Sequence, residues 1–259
     1  MIRVLFVSLL PVLLTGCTET PMGRSQLALM PDDIMAQMGR EAFASMLQQE
    51  ERVAGAVDAR VQCIAGHITA AAERLYPQFM PPGTWEVAVF ANATPNAFAM
   101  PGLRIGVFEG MLALAENDAQ LAAVIGHEVG HVLASHSNER VTQEFGINLI
   151  LLLIGLFSEL DSILVYQALG LGAQYGVILP FSRAHESEAD LIGLRLMAAA
   201  GYAPEESSRL WVKMSQLGRG QPLEFLSTHP SHDTRIENLT AAQAGVAELY
   251  ALSLPGRCR

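Results

Sequence analysis

Apolar residues recur at helical spacing through most of the 259-residue chain, with one short stretch that alternates instead. From Asp32 to Tyr76 they lie three and four apart among Ala, Glu, Gln and Arg, and Pro77, Pro81, Pro82 and Gly83 close the run, which predicts helix. Trp85 to Phe90 alternates as a half-buried strand does, and a turn through Asn92 to Pro95 follows. Phe98 to Met100 and Arg104 to Phe108 read as two further short strands around Pro101-Gly102. The helical pattern resumes near Asn117 and continues to about Arg140. It returns from Ser182 to Gly201, from Pro204 onward with that proline at the first helical position, and from Asp233 to Leu252.

Between these blocks, Ser162 to Phe181 carries no charge over 20 residues, formally enough to span a bilayer, whereas the preceding apolar run from Phe145 to Ser158 is too short. A lone span would put the segments before and after it on opposite sides of a membrane. Gln167, Gln174, Tyr175 and three glycines suit packed helices better, so the region reads as a hydrophobic helical hairpin resting on the core or on a membrane surface. Composition adds that 51% of residues are hydrophobic and the net charge is −10, which excludes a disordered chain and a polybasic nucleic-acid binder; no nucleic-acid partner is expected.

The chain opens with Arg3, an apolar run from Val4 to Leu14, and Leu14-Thr15-Gly16-Cys17. A charged start, an apolar stretch and small residues before a cleavage point describe a secretory signal; an uncleaved anchor helix or a plain signal peptide is the alternative. The Leu-Thr-Gly-Cys ending resembles a bacterial lipoprotein box. That resemblance implies cleavage before Cys17, lipidation of its sulfur and amine, and a membrane anchor of more than one acyl chain. Thr18 after the cysteine implies the outer membrane, facing the periplasm. The expected division is residues 1–16 as signal, 17–31 as a polar tether and 32–259 as one folded domain. In an oxidising compartment Cys63 and Cys258 are expected to pair.

His127-Glu128-Val129-Gly130-His131 lies inside the apolar-periodic segment Leu121 to Leu133. Residues four apart on a helix are offset by only about 40°, so both imidazoles face one way and can hold one Zn²⁺. Glu128 stands beside them as a general base for a water polarised by the metal. On a core helix, three unpartnered polar side chains would be costly, which argues against a chance match.

A catalytic zinc takes three protein ligands and keeps one position open. His136, five residues after His131 on a continuous helix, would point about 140° away and serve as a cap or surface contact. The third ligand is better sought in Ser182-Arg183-Ala184-His185-Glu186-Ser187-Glu188-Ala189-Asp190, where Glu186 and Asp190 share a helix face and Glu188 lies about 200° from Glu186. Either carboxylate can bind the metal while the other accepts a hydrogen bond from the outer nitrogen of a ligating histidine. A solvated acidic turn is the plainer alternative.

Together, His127-Glu128-x-x-His131, Glu186-x-x-x-Asp190 and Thr228-His229-Pro230 followed by Arg235-Ile236 resemble peptidase family M48, the gluzincin metallopeptidases that include HtpX, the mitochondrial OMA-type protease and the Ste-class prenyl proteases. Asn96 to Gly102 resembles that family's edge-strand segment, with Leu103 departing from a second glycine. The resemblance implies an α+β, mostly helical zincin-like domain with a small sheet. It also implies one zinc held by His127, His131 and Glu186, Glu128 as base and Asp190 behind the ligands.

His229 is expected near the metal, either stabilising the oxyanion or closing the site as a fourth ligand; a simple turn histidine is the alternative. Arg235 would pair with a site carboxylate, bind substrate or lie on the surface. His67, His185 and His232 are expected to be non-ligands. Phe98, Ala99 and Met100 would form an exposed edge that pairs with extended polypeptide. The expected function is proteolysis of unfolded or misassembled cell-envelope proteins, with envelope assembly machinery as a partner. The rival is a non-catalytic assembly or chaperone lipoprotein with a closed structural zinc.

Overall fold

A computed structural model of the chain describes residues 17–157, 179–217, 225, 229 and 233–258. Its architecture is α+β: a three-stranded sheet leans against a helical core that carries the polar constellation. The expected helix from Asp32 to Tyr76 is two helices, Asp32–Gln49 (α1) and Ala56–Leu75 (α2). The break has a tertiary cause that periodicity does not register. The Val53 amide donates to the Val89 carbonyl (2.9 Å) and the Ala91 amide to the Glu51 carbonyl (2.8 Å), so the intervening segment runs extended beside the sheet.

Residues 17–31, read from the sequence as a polar tether, are built into the fold. Cys17–Glu19 (β1) and Ser25–Leu27 (β2) pair antiparallel around a turn in which Gly23 takes a φ of 78°. The Leu29 and Met30 amides then donate to Thr142 Oγ1 and Asn138 Oδ1 at 2.9 and 3.1 Å.

The main sheet has the order β3 (Glu86–Phe90), β5 (Arg104–Phe108), β4 (Ala97–Met100), with β3 parallel and β4 antiparallel to β5. Strand alternation sorts its side chains into two layers. Val87, Val89, Ile105 and Val107 join the helical core, while Ala88, Phe90 and Phe108 pack with Phe43 of α1 on the opposite face. Phe98 lies over Gly106, where a Cβ would sit 2.1 Å from its ring. Gly102 and Leu103 make the β4–β5 turn with φ of 83° and 64°; the departure from glycine at Leu103 is accommodated by burying its side chain.

Helix α3 (Glu109–Leu114) leads to α4 (Asp118–Leu133), whose first turn is capped by Asn117 Oδ1 accepting from the Gln120 amide. The predicted continuation to about Arg140 fails, because Ala134 and Ser135 (φ 52°) turn the chain before α5 begins at His136–Phe157. After the residues not described come α6 (Leu179–Ala199), α7 (Glu205–Leu217), α8 (Asp233–Ala242) and α9 (Ala247–Ala251). The expected apolar hairpin over 145–181 falls largely outside the described residues, and among those described no helix is long and apolar enough to cross a membrane. A disulfide joins Cys63 on α2 to Cys258.

Helices α4 and α6 cross in backbone contact. A Cβ at Gly193 would lie 2.7 Å from the His127 amide nitrogen, and one at Gly126 or Gly130 would lie 3.0 Å from the Gly193 or Ala189 carbonyl oxygen. Small residues at all four positions let the helices close to this distance. The side chains of one turn of α4 thereby meet those of the first half of α6.

Candidate metal centre and active site

At that crossing, the Nε2 atoms of His127 and His131 lie 3.0 Å apart. Glu186 reaches them from α6, with Oε2 3.3 Å from His127 Nε2 and Oε1 3.4 Å from His131 Nε2. His229 adds a fourth donor, its Nδ1 3.0 Å from Glu186 Oε1 and 3.3 Å from His127 Nε2. The ring of Phe225, one turn earlier, stacks on the His229 imidazole at 4.6 Å.

These donor separations fit a metal. A tetrahedral shell with zinc–nitrogen bonds of 2.0–2.1 Å places its ligand atoms about 3.3 Å apart. The electrostatics agree. Burial and the Arg235 guanidinium oppose charge on His127, yet the Asp190 and Glu186 carboxylates raise it to about 9. In His131 burial outweighs the pull of Glu186 and holds the imidazole well below its ordinary range. Burial would raise Glu186, but His131, His127 and His229 around it hold its carboxyl far below the usual range. Two imidazole nitrogens at this distance need a proton or a cation between them, and a divalent cation would fill that need.

Glu128, on the same turn, is buried, and burial pushes its carboxyl up despite His229 and His127 nearby. The Ala99 amide of β4 donates to its Oε2 at 3.2 Å. Its Oε1 lies 3.4 Å from His229 Nε2 and has no hydrogen-bond partner among the described residues. Ala99 therefore ties the edge strand to the constellation. Among the described residues no strand covers the outer side of β4.

Behind the donors, Asp190 accepts from His127 Nδ1 at 3.0 Å. Arg235 is buried rather than on the surface: its Nε and Nη2 donate to the two Asp190 oxygens, and its Nη1 is 3.0 Å from Glu186 Oε2. The Trp211 ring supports the guanidinium from below at 3.5 Å. Burial alone would raise Asp190, but Arg235 keeps it ionised.

His136 is the clearest departure from the sequence reading. The break at Ala134–Ser135 returns its ring toward the site instead of to the surface, with Nδ1 2.8 Å from His131 Nδ1 and only 2% of the residue exposed. Burial lowers its imidazole to about 4. Glu188, directed away from Glu186, accepts from His136 Nε2 at 3.1 Å. Sequence reasoning also missed Trp211, Phe225 and Arg24. Trp211 sits on the buried side of a strongly amphipathic helix, which is a packing signal; nothing in the sequence around Arg24 marks it. His67, expected as a non-ligand, bonds the Tyr202 hydroxyl at 2.8 Å.

The description Peptidase family M48 matches residues 56–243 of this sequence. The chain belongs to that family. Similar proteins include the mitochondrial metalloendopeptidase OMA1 of Schizosaccharomyces pombe, 39% identical over 60% of this chain and 45% of that protein. The OMA1 of Arabidopsis thaliana is 41% identical over 64% of this chain and 32% of its own length. The beta-barrel assembly-enhancing protease of Yersinia pestis is 28% identical over 57% of this chain and 32% of that protein. The chain thus spans less than half the length of each of these three relatives, and identity is higher to the two mitochondrial proteins than to the bacterial one. Within this M48 domain, the family's helical α+β fold and metallopeptidase character frame the constellation just described.

Proposed function

We propose that the chain is a zinc-dependent endopeptidase with His127, His131 and Glu186 as metal ligands and Glu128 as general base. The observation carrying this reading is the convergence of three donor groups at tetrahedral spacing next to a carboxylate whose second oxygen has no hydrogen-bond partner among the described residues. When bound, zinc supplies a Lewis acid that lowers the pKa of water and polarises a peptide carbonyl. The Ala99 amide fixes Glu128 through Oε2 and leaves Oε1 to take the proton of the attacking water and pass it to the leaving amine. Asp190, held by Arg235, accepts from His127 Nδ1 and so keeps Nε2 as a donor toward the metal. His229, beside both Glu128 and Glu186, is placed to donate to the oxyanion that develops on the carbonyl.

The outer edge of Phe98-Ala99-Met100 supports binding of an extended polypeptide by main-chain pairing, which tolerates many side chains. Unfolded or misassembled cell-envelope proteins are the substrate class that follows. The name of the Yersinia pestis relative supports an envelope setting and a link to assembly machinery. Cys17, exposed at the start of β1, is the lipid attachment point in this reading, with the protein anchored to the outer membrane and facing the periplasm. A second reading is favoured by the proximity of His229 to the three ligands: as a fourth donor it would close a structural zinc in a non-catalytic assembly lipoprotein. Glu128→Gln separates the two. It should abolish cleavage of unfolded casein while one zinc per chain remains; unchanged cleavage refutes the assigned base, and a wild-type protein that binds zinc but cleaves nothing favours the closed site.

A further inference from the structure

A second buried cluster lies directly behind His131 and takes no part in the mechanism above. His136, His185, Glu139 and Glu188 are all at most 6% exposed, and Arg24 of the N-terminal hairpin closes over them. Arg24 Nε donates to Glu188 Oε2 at 2.7 Å, and its two Nη atoms donate to the Glu139 oxygens at 3.0 and 2.8 Å. The Thr20 hydroxyl donates to Glu188 Oε1. His185 stacks on His136 with centroids 4.4 Å apart and bonds Glu139 through Nε2 at 2.9 Å.

Hydrogen-bond chemistry fixes the proton positions along this chain. The Glu188 carboxylate, already receiving Arg24 and Thr20, can only accept, so His136 Nε2 carries the hydrogen. A His131 that binds a metal through Nε2 carries its hydrogen at Nδ1. The contact between the two Nδ1 atoms at 2.8 Å is then a hydrogen bond that His131 donates to the Nδ1 lone pair of His136. His131 Nε2 is thereby left as a lone pair directed at His127 and Glu186.

We propose that His136 is a positioning residue that fixes His131 as a metal donor, and that the N-terminal hairpin supports it through Thr20 and Arg24 on Glu188. This rests on the metal reading given above. It makes the segment next to Cys17 part of the metal site's support.

Co²⁺ is the probe, titrated into the full chain and followed by its visible ligand-field bands, with Zn²⁺ competition giving affinity. His136→Phe should weaken metal binding by about 10–100-fold and alter the bands, as loss of an outer partner of a ligating histidine does. His136→Asn, which restores an acceptor facing His131, should recover most of that loss. Arg24→Ala, on a partly exposed hairpin, should weaken binding by about 3–10-fold with unchanged far-UV circular dichroism. If His136→Phe does not fold, Arg24→Ala and Glu188→Gln carry the test. Wild-type affinity and spectrum in His136→Phe, or in both Arg24→Ala and Glu188→Gln, overturns the proposal. A wild-type chain that takes up no Co²⁺ overturns the metal reading and this inference with it; a wild-type chain that binds, with variants that bind equally, overturns this inference alone.

Discussion

His127 and His131 sit one turn apart on the same helix, yet their outer nitrogens are held in different ways. Behind His127 stands a carboxylate, Asp190, locked by a buried arginine that an indole ring supports. Behind His131 stands another imidazole, His136, backed by Glu188 and by an arginine that is 25% exposed. The first support comes from α6, α7 and α8, elements C-terminal to the motif. The second comes from a local helix break, from Glu188 of the same α6 and from the N-terminal hairpin. Equivalent positions in a five-residue motif therefore do not imply equivalent surroundings, and the two supports should differ in how much of the fold fails with them.

Glu128 lies between the two supported histidines and is fixed by the Ala99 amide. Glu128→Gln is expected to lower turnover by about 10²–10⁴-fold with zinc content and melting temperature unchanged. A parallel loss of zinc in that variant would mean that Glu128 is a ligand. Removing the cation behind His127 should cost more stability than removing the one behind His131. Arg235→Leu leaves Asp190 buried without its partner and should destabilise by about 3–5 kcal/mol in urea unfolding. Arg24→Ala, 25% exposed but paired with two buried carboxylates, should cost about 1–2 kcal/mol. Equal losses would erase the distinction.

The helix crossing serves both sides. Gly193→Val would force a side chain against the His127 backbone and should destabilise by about 3 kcal/mol while lowering metal affinity. Retention of wild-type stability and metal binding would show that the crossing has room the distances deny.

The His131 side also has an acid signature. Burial would raise Glu139, but His185 and Arg24 hold it at about 2 against an ordinary 4.5. With the folded value below the unfolded one, its contribution is complete above pH 4.5 and disappears as pH falls toward 2, on the order of 2 kcal/mol. Glu139→Gln should flatten the stability profile across that window, as measured by urea unfolding at stepped pH; an unchanged slope would remove Glu139 from the network's account.

The same asymmetry explains what the sequence could disclose. The helix around His127 and His131 was legible because its apolar period and Asn117 cap act locally, and Glu186 and Asp190 share a face because four residues make about one turn. The strands were legible from alternation, within a residue or two at their ends. The break at Ala134–Ser135 was not, since a non-glycine residue with positive φ is imposed by packing rather than by propensity. That break is what redirects His136, so the error in its placement follows from one wrong assumption of helix continuity. The hairpin over residues 17–27 was missed because two strands of three residues in a polar stretch leave no periodic trace. The extended segment between α1 and α2 was hidden for the same reason as the break: its hydrogen-bond partners come from distant β3 and its flanks. The small residues Gly126, Gly130, Ala189 and Gly193 were visible as letters, but their meaning appears only when two helices are seen to touch.

In the proposed enzyme one divalent metal sits between α4 and α6. Anomalous diffraction at the zinc edge from crystals of the purified chain tests it most directly. A single peak is expected about 2.0–2.2 Å from His127 Nε2, His131 Nε2 and a Glu186 oxygen. A fully folded chain with no peak there, or with a peak held by other side chains, would contradict it.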